Sequence, residues 1–192
     1  MVGVKTMDNA KEVYHIQILM DTRETLKIFI DYHEKLDIYL DKEGLYPVKT
    51  YSTVQNRGVK ESVETSFNSD GKVTKVFTQN SSFREEIYQG PPEVQEGFSL
   101  FYYLRKWPWK NNFSLRFSYM SGAGKILDVN IKNPKKEIIK VGAGNFSCYY
   151  LKDPAIPCSV WISDDSRRIP VRIFNVRPFG IVDSRLVNVE IP

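Results

Sequence analysis

The feature that most constrains the fold is a series of short segments in which apolar and polar side chains alternate. The first spans residues 14–20. Its apolar members are Tyr14, Ile16, Ile18 and Met20, with His15 and Gln17 between them. Successive side chains of a strand point to opposite faces of a sheet, so a period of two predicts a half-buried β-strand.

The same alternation recurs along almost the whole chain. Further predicted strands cover residues 26–32, 36–40, 45–54, 59–67, 73–78, 113–119, 127–131, 138–141, 146–151, 159–163, 170–176 and 181–189. Most connections have hairpin length, and several carry turn residues such as Asp70-Gly71. About a dozen short strands joined in this way predict an antiparallel meander and not a parallel α/β sheet.

One segment, residues 94–107, is predicted to be helical and to end at Pro108. Its apolar side chains fall on two sides: Phe98, Phe101 and Arg105 share one face, and Leu100, Tyr103 and Trp107 lie nearly opposite. A helix that is apolar most of the way round is normally buried. We therefore predict an all-β, antiparallel, strongly curved meander that forms an open or half barrel around one central α-helix, as a single domain over residues 1–192.

Composition and charge exclude several classes of protein. Hydrophobic residues make up 42% of the chain and charged residues 26%, as in ordinary globular domains. The apolar runs are far shorter than the ~20 residues that cross a bilayer, so no transmembrane segment is predicted. The net charge is +4, and the densest basic group surrounds Asn133-Pro134. That group comprises Lys132, Lys135, Lys136 and Lys140. We interpret it as a solvated hairpin tip and predict no nucleic-acid partner, since such binding needs a concentrated stripe of phosphate contacts.

Candidate reactive groups do not assemble into a recognisable catalytic or metal-binding motif. Residues 121–125 resemble the end of a phosphate-binding loop but lack its first glycine and its strand-to-helix context, which favours a hairpin turn. His15 and His33 have no partners at metal-ligand spacing. The adjacent acids Glu85-Glu86 and Asp164-Asp165 would point to opposite faces of a strand. We assign no catalytic residue, metal or cofactor, and a non-enzymatic role is favoured, although distant members of a Ser-His-Asp triad would leave no local motif.

Two cysteines, Cys148 and Cys158, bracket a predicted turn at Lys152-Asp153-Pro154. If the register places Leu151 opposite Ala155, the two cysteines lie opposite each other and within disulfide reach. The alternative is a pair of reduced cysteines in the core. A disulfide would require an oxidising compartment.

Residues 161–171 form the most distinctive stretch of the chain, Trp-Ile-Ser-Asp-Asp-Ser-Arg-Arg-Ile-Pro-Val. Ser and Asp favour turns, and Arg167 and Arg168 can pair with Asp164 and Asp165. We interpret these four residues as a structural corner in preference to a ligand site, because Asp-Arg networks in turns commonly serve structure alone.

These motifs, in this order and spacing, resemble the bacterial family known as domain of unknown function 3108. The resemblance rests on residues 161–165 with 167–171, on Tyr102-Tyr103-Leu104-Arg105, on Gly144-Asn145-Phe146 and on Gly44-Leu45-Tyr46-Pro47. It implies export to the periplasm or cell envelope of bacteria with an outer membrane, and it implies no activity. Family members carry a signal peptide and a further strand before the glycine that Gly3 matches, so we expect this chain to begin inside the first hairpin.

The leading functional expectation is a non-catalytic envelope protein that holds a lipid-like or other hydrophobic ligand in the cleft of a curved sheet. The predicted lining residues are Phe98, Phe101, Tyr102, Trp107 and Trp161. A structural or protein-interaction module of the envelope is the first alternative, and a hydrolase of envelope components is the second. The sequence leaves ligand identity, partner proteins and oligomeric state open.

Overall fold

The computed structural model describes residues 2–7, 12–22, 31–156, 158–177 and 180–190. Within these residues there are fifteen strands and one helix. The chain divides into two compact units, Met1–Val94 and Gln95–Pro192, and each is described by itself. The interpretation of residues 1–192 as a single domain stays a prediction.

The first unit is a seven-stranded sheet in which every strand pairs with its neighbour in the sequence. The strands are β1 (Val2–Thr6), β2 (Glu12–Asp21), β3 (Tyr32–Asp41), β4 (Pro47–Asn56), β5 (Val59–Phe67), β6 (Lys72–Gln79) and β7 (Ser82–Gln89). All of these pairings are antiparallel, which confirms the predicted meander. Leu26, Ile28 and Ile30 of the strand predicted over 26–32 lie outside the described residues, and β7 was not predicted.

The two faces of this sheet differ in polarity because the strands pair in a register that keeps their alternating apolar side chains on one face. One face carries fully buried aliphatic side chains, among them Ile16, Ile38, Leu40 and Val73. The other face carries polar groups, since His15 lies opposite Tyr39 and Gln17 lies opposite Asp37. A shift of one residue in any hairpin would exchange the two faces, so burial of the aliphatic face fixes the register.

The second unit contains two sheets and the helix. A three-stranded sheet has the order β10-β9-β8, and a five-stranded sheet runs from β11 to β15 in sequence order. The elements are β8 (Gln95–Glu96), α1 (Ser99–Arg105), β9 (Ser114–Met120), β10 (Ile126–Lys132), β11 (Lys135–Val141), β12 (Gly144–Lys152), β13 (Cys158–Ser163), β14 (Pro170–Arg177) and β15 (Gly180–Arg185). Only the two-residue β8 pairs in parallel, with β9.

Helix α1 is about half as long as predicted, so the predicted start at residue 94 is wrong. Gln95 and Glu96 pair with Tyr119 and Met120 of β9 instead of entering the helix, and Gly97 then adopts a positive φ of 41°. The Ser99 hydroxyl donates to the Glu96 carbonyl at 2.6 Å. The strand pairing therefore competes successfully with helix formation before residue 99.

Helix α1 lies in the core of the second unit. Its side chains Leu100, Phe101 and Leu104 are buried. They belong to one cluster with Trp109, Leu115, Tyr119, Val129, Ile131, Tyr149, Leu151, Ile156, Cys158, Val160 and Ile162. The prediction of an all-β chain with a single buried helix is confirmed, and within the described residues none of the sheets closes into a barrel. No helix in the described part of the chain is long and apolar enough to span a bilayer.

The predicted disulfide between Cys148 and Cys158 required Leu151 to lie opposite Ala155. The pairing of β12 with β13 does not meet this condition. Leu151 pairs with Val160 instead of Ala155, and Cys148 lies opposite Ser163. The connecting loop is longer than the predicted turn, since β12 ends at Lys152 and β13 begins at Cys158. This register places Cys148 and Cys158 on opposite faces of the sheet, in different apolar clusters, and no disulfide joins them.

We expect both cysteines to remain reduced in air-oxidised protein. Burial, followed by the nearby carboxylates of Asp165 and Asp164, raises the pKa of the Cys148 thiol to about 11. At mildly alkaline pH the native protein should therefore alkylate slowly at this position, because the thiolate is the reactive form. Mass spectrometry after unfolding without reductant should find two alkylated cysteines. Thiols that stay blocked until a reductant is added would contradict the observed register.

Candidate functional site

The aromatic residues predicted to line a cleft around the helix lie in packed surroundings. Phe101 is 8% exposed and makes an edge-to-face contact with Phe98 at 5.6 Å between ring centroids. Trp107 contacts the rings of Tyr103 and Phe113. These contacts are those of a filled core, so they give no support to a ligand site between the helix and the sheets of this unit.

Tyr102 lies on helix α1 and is half-buried, whereas Trp161 lies on strand β13. Burial raises the pKa of Tyr102, and the Arg105 guanidinium lies 5.8 Å from its ring centroid. Trp161 lies on the sheet face opposite to its neighbour Ile162, which belongs to the helix-side core. The structure therefore does not bring Trp161 together with the helix aromatics.

Trp161 instead occupies the middle of a cross-strand stack on the outer face of the five-stranded sheet. Its ring lies 4.7 Å from the Tyr150 ring and 4.7 Å from the Arg172 guanidinium. The indole nitrogen donates to Glu137 Oε2 at 2.7 Å. Two hydrogen bonds from Arg172 and two from Arg185 to Asp183 hold the pKa of that carboxyl at about 2. The indole nitrogen of Trp161 and the guanidinium of Arg172 thus each have a hydrogen-bond partner within the protein.

The residues predicted to form a structural corner converge on the Asp165 carboxylate. It accepts hydrogen bonds from the Ser163 hydroxyl at 2.8 Å, from the Arg167 guanidinium at 2.5 and 2.9 Å and from the backbone N–H groups of Arg167 and Arg168. Burial raises the pKa of Asp165, but these donors outweigh it and hold the pKa below its usual value.

The other members of the corner bind neighbouring elements. Asp164 forms an ion pair with Lys136 at 2.6 Å. The Arg168 guanidinium donates to the Trp107 carbonyl at 2.6 Å, and Arg105 donates to the Arg167 carbonyl at 3.1 Å. The Arg168 side chain therefore binds the segment that follows helix α1, while its backbone N–H donates to Asp165.

A cleft suited to a ligand is found in the first unit, at one end of the seven-stranded sheet. This end cleft has a volume of about 750 Å³ and is lined by residues 7, 46–49, 66–71, 73 and 91–94. Small-molecule sites commonly occupy about 300–1,000 Å³. The lining comes from the connections that follow β1, β3, β5 and β7, all of which meet at this end of the meander.

The first wall of the end cleft is formed by Tyr46 and Pro47. The Asp41 carboxylate accepts hydrogen bonds from the N–H groups of Glu43 and Gly44 at 3.0 and 2.6 Å, which fixes the turn that precedes this wall. A Cβ atom on Gly44 would lie 2.4 Å from Cδ1 of Tyr46. The glycine therefore allows the Tyr46 ring to pack closely against the turn.

The second wall is formed by the turn at residues 68–71 and the segment that follows β7. Gly90 N–H donates to the Gly71 carbonyl at 3.0 Å, and the Gln89 side chain donates to the Asp70 carbonyl at 2.9 Å. Pro91 and Pro92 continue this segment with fixed φ angles. These hydrogen bonds join the turn to the segment that follows β7.

Substituting Gly71 tests how closely the turn at residues 68–71 approaches the segment that follows β7. Its φ is 84°, and a Cβ atom would lie 2.0 Å from the Gly90 carbonyl oxygen. We expect Gly71→Ala to lower the free energy of unfolding by at least about 2 kcal/mol, because left-handed strain and a backbone clash add. Gly58→Ala is the matched control, since Gly58 has a similar φ of 80° and nothing within 4 Å. Equal losses in the two variants, measured by urea unfolding, would contradict the close approach.

The lining of the end cleft is mixed, with an apolar base and a polar rim. Pro47, Val73 and Val94 are buried and Phe67 is half-buried. The rim carries Lys49, Ser66, Asn68, Asp70 and Glu93. Within the described residues no group of three or more His, Cys, Asp or Glu side chains is placed to hold a metal ion.

A shallower polar pocket adjoins the end cleft and shares Met7 and Lys49 with it. This polar pocket has a volume of about 380 Å³. Its remaining lining residues are Lys5, Thr6, Asp37, Tyr39, Tyr51 and Glu64. Lys49 stands at the junction, with its ammonium nitrogen 2.7 Å from Glu64 Oε1.

The acidic group at the base of the polar pocket is held in its ionised form. Burial raises the pKa of Asp37, but hydrogen bonds from Gln17 at 3.1 Å and His15 at 2.7 Å, with the charge of Lys35, lower it below its usual value. The His15 ring also stacks on Tyr39 at 4.8 Å. Asp37 and His15 are thus engaged with each other and fixed in place by packing.

Part of this cleft carried a signal in the sequence. Gly44-Leu45-Tyr46-Pro47 belongs to the family resemblance, and Asp70-Gly71 is a hairpin-turn signal. Pro91-Pro92 follows β7. Three rigid turn motifs on alternate connections of one meander must lie at the same end of the sheet. Because alternate connections of a meander lie at the same end of the sheet, the position of the cleft could have been predicted from the sequence, although its depth could not.

Comparisons with known proteins give a family but no activity. The family model described as "Protein of unknown function (DUF3108)" matches residues 1–187. No curated protein matches the chain. Among solved structures, a DUF1089 family protein from Pseudomonas aeruginosa is 9% identical, with a TM-score of 0.46, over 89% of this chain and 86% of that one. A likeness of this extent does not establish a shared function.

Proposed function

We propose that this chain, which belongs to the DUF3108 family of proteins of unknown function, is a non-catalytic binding protein for an amphipathic molecule. The apolar part of the ligand occupies the end cleft, and its polar end lies toward the polar pocket. The site proposed from the structure therefore differs from the helix aromatics named in the sequence analysis. A location in the bacterial envelope is part of the proposal and rests on the family resemblance.

The observation that carries the proposal is that the two pockets are neighbours, with Met7 and Lys49 lining both of them. An apolar base formed by Pro47, Phe67, Val73 and Val94 favours burial of a hydrocarbon segment, at about 25 cal/mol for each Å² removed from water. The adjoining pocket offers two lysines, Lys5 and Lys49, together with hydroxyl and carboxylate groups. This arrangement suits a ligand with one apolar and one polar end.

A purely structural module is the second candidate, and the packing of the helix favours it. Leu100, Phe101 and Leu104 complete a core and leave their faces occupied by protein. In that case the end cleft would be a surface feature without a ligand. The two candidates differ in whether the first unit binds an amphiphile.

Titration with a fluorescent long-chain fatty acid tests the proposal. We expect the wild type to bind one probe per chain and Phe67→Ala to bind it about tenfold or more weakly, since Phe67 lines the cleft and removing its ring forfeits roughly 1.5 kcal/mol of apolar contact. Phe83→Ala is the matched control, because Phe83 is exposed on strand β7 of the same unit and lies outside the cleft lining. Absence of probe binding by the wild type, or equal loss in both variants, would refute the proposal.

A further inference from the structure

Strand β7 is an edge strand with two exposed apolar side chains. Among the described residues it pairs only with β6. Phe83 is 78% exposed and Ile87 is 57% exposed, and they lie on the same face because they are four residues apart in a strand. A long edge strand with an exposed apolar face is a template for pairing with another strand.

The sequence of β7 is complementary to itself in one register. If two copies pair antiparallel about Glu85, Phe83 of each copy lies opposite Ile87 of the other. Arg84 then lies opposite Glu86 of the other copy on the reverse face. Aromatic–aliphatic and opposite-charge pairs directly across strands both stabilise a sheet. The only unfavourable contact is Glu85 against its own copy at the two-fold axis.

Two other registers of β7, and the edge strands β11 and β15, lack this complementarity. Centring the pair on Arg84 or on Glu86 sets like charges opposite each other and separates Phe83 from Ile87. Strand β11 places Lys136 opposite Lys140 when it is centred on Ile138. On β15, the exposed Ile181 would face Asp183 or Arg185 in the registers centred on residues 182 and 183. Lysine on edge strands is a common means of preventing association.

We propose that β7 is a homodimer interface, with a second copy of this chain as its occupant. The two seven-stranded sheets join through an antiparallel β7–β7 pair centred on Glu85 and form one continuous sheet across the two-fold axis. A two-fold axis requires the same patch on both subunits, and a self-complementary strand meets that requirement. The inference is independent of the end cleft, which none of the β7 residues lines.

Sedimentation equilibrium of the wild type and of two lysine variants gives the first test. We expect a reversible monomer–dimer equilibrium for the wild type. Phe83→Lys should be monomeric at every concentration, because its ammonium would replace the Phe83–Ile87 contact. Ile138→Lys is the matched control, since Ile138 is a comparably exposed apolar residue, 73%, on a different edge strand. It should dimerise like the wild type. A wild type that stays monomeric, or equal effects of the two variants, would overturn the proposal.

Cysteine cross-linking tests the register itself. Residues directly opposite across an antiparallel pair have Cβ atoms about 4.5–5.5 Å apart, close to disulfide geometry. Glu85→Cys should therefore form a disulfide-linked dimer under mild oxidation, while both native cysteines are buried. Ser82→Cys is the control on the same strand, because the two copies of residue 82 lie at opposite ends of the pair. Equal cross-linking of the two variants would contradict the register, and capture of a different protein or peptide by β7 would replace the second copy as its occupant.

Discussion

Replacing Phe101 with alanine is expected to lower the free energy of unfolding by about 3–5 kcal/mol, the range found when a large aromatic side chain is removed from a core. Phe101 is buried within the core cluster of the second unit and contacts Phe98 edge to face. Truncation removes both the apolar contacts and the ring that fills the space beneath helix α1. Urea unfolding followed by tryptophan fluorescence measures the loss.

Phe83→Ala provides the matched control for this substitution. Phe83 is exposed on the edge strand β7, so its truncation should change the free energy of unfolding of the monomer by less than about 0.5 kcal/mol, as for most surface substitutions. A loss below about 1 kcal/mol for Phe101→Ala would mean that the ring faces open space. The helix-lined cleft expected from the sequence would then regain support.

The Asp165→Ala variant should lose about 1–2 kcal/mol of stability, because several donors lose their acceptor at once, while the 36% exposure of the Asp165 side chain lets water replace part of the loss. Asp165 accepts from Ser163, from the Arg167 side chain and from two backbone N–H groups. Asp164→Ala is the control in the neighbouring position. Its single ion pair with Lys136 is a surface contact, and such pairs contribute about 0–1 kcal/mol.

The pH dependence of the Asp165 contribution follows from its lowered pKa. A carboxyl group whose pKa is lower in the folded state stabilises the fold at pH values above its unfolded pKa of about 3.9. That stabilisation is lost as the pH falls through the folded pKa. The difference in unfolding free energy between the wild type and Asp165→Ala should therefore shrink on acidification below about pH 4. A difference that stays constant or grows would show that the ionised carboxylate is not the stabilising form.

Strand content and topology could be predicted because alternation and turn chemistry are local. Thus the alternation over 14–20 and the Asp70-Gly71 signal each coincide with observed features, namely β2 and the turn between β5 and β6. The sequence pattern does not reveal strand β7, because three charged residues, Arg84, Glu85 and Glu86, separate its apolar residues Phe83 and Ile87. An exposed edge strand needs little apolar character, so the pattern that marks a half-buried strand is weak there.

The start of the helix depended on a contact that local sequence does not encode. Residues 94–98 fit a helical pattern as well as residues 99–105 do. Gln95 and Glu96 nevertheless pair with β9, whose partner residues are more than twenty positions away. Non-local pairing of this kind overrides helix propensity, which is a weak preference for any single residue.

The predicted contact between the cysteines failed for a similar reason. Within one strand, residues an even number of positions apart lie on the same face of the sheet. Across a hairpin, whether two residues share a face also depends on the length of the loop. The turn inferred at residues 152–154 would have put Cys148 and Cys158 on one face. The loop that actually follows Lys152 shifts the register and puts them on opposite faces.

The position of the end cleft was not predictable from apolar content. Aromatic residues are dense in the helix segment because they fill the core there. The end cleft is built mainly from turns, whose residues signal backbone geometry and not ligand binding. Only the meander topology, in which alternate connections share one end, brings Tyr46, Phe67 and Pro91 together.

The most direct measurement of the central claim is a chemical-shift map of backbone amides during titration with a long-chain fatty acid below its micelle concentration. The largest shifts are expected in residues 46–49, 66–73 and 94, with smaller ones near Lys5 and Tyr39 in the polar pocket. Residues 98–107 should change little, because their side chains pack into the core of the second unit. Shifts that cluster on residues 98–107, or an absence of shifts at saturating fatty acid, would contradict the assignment of the end cleft as the binding site.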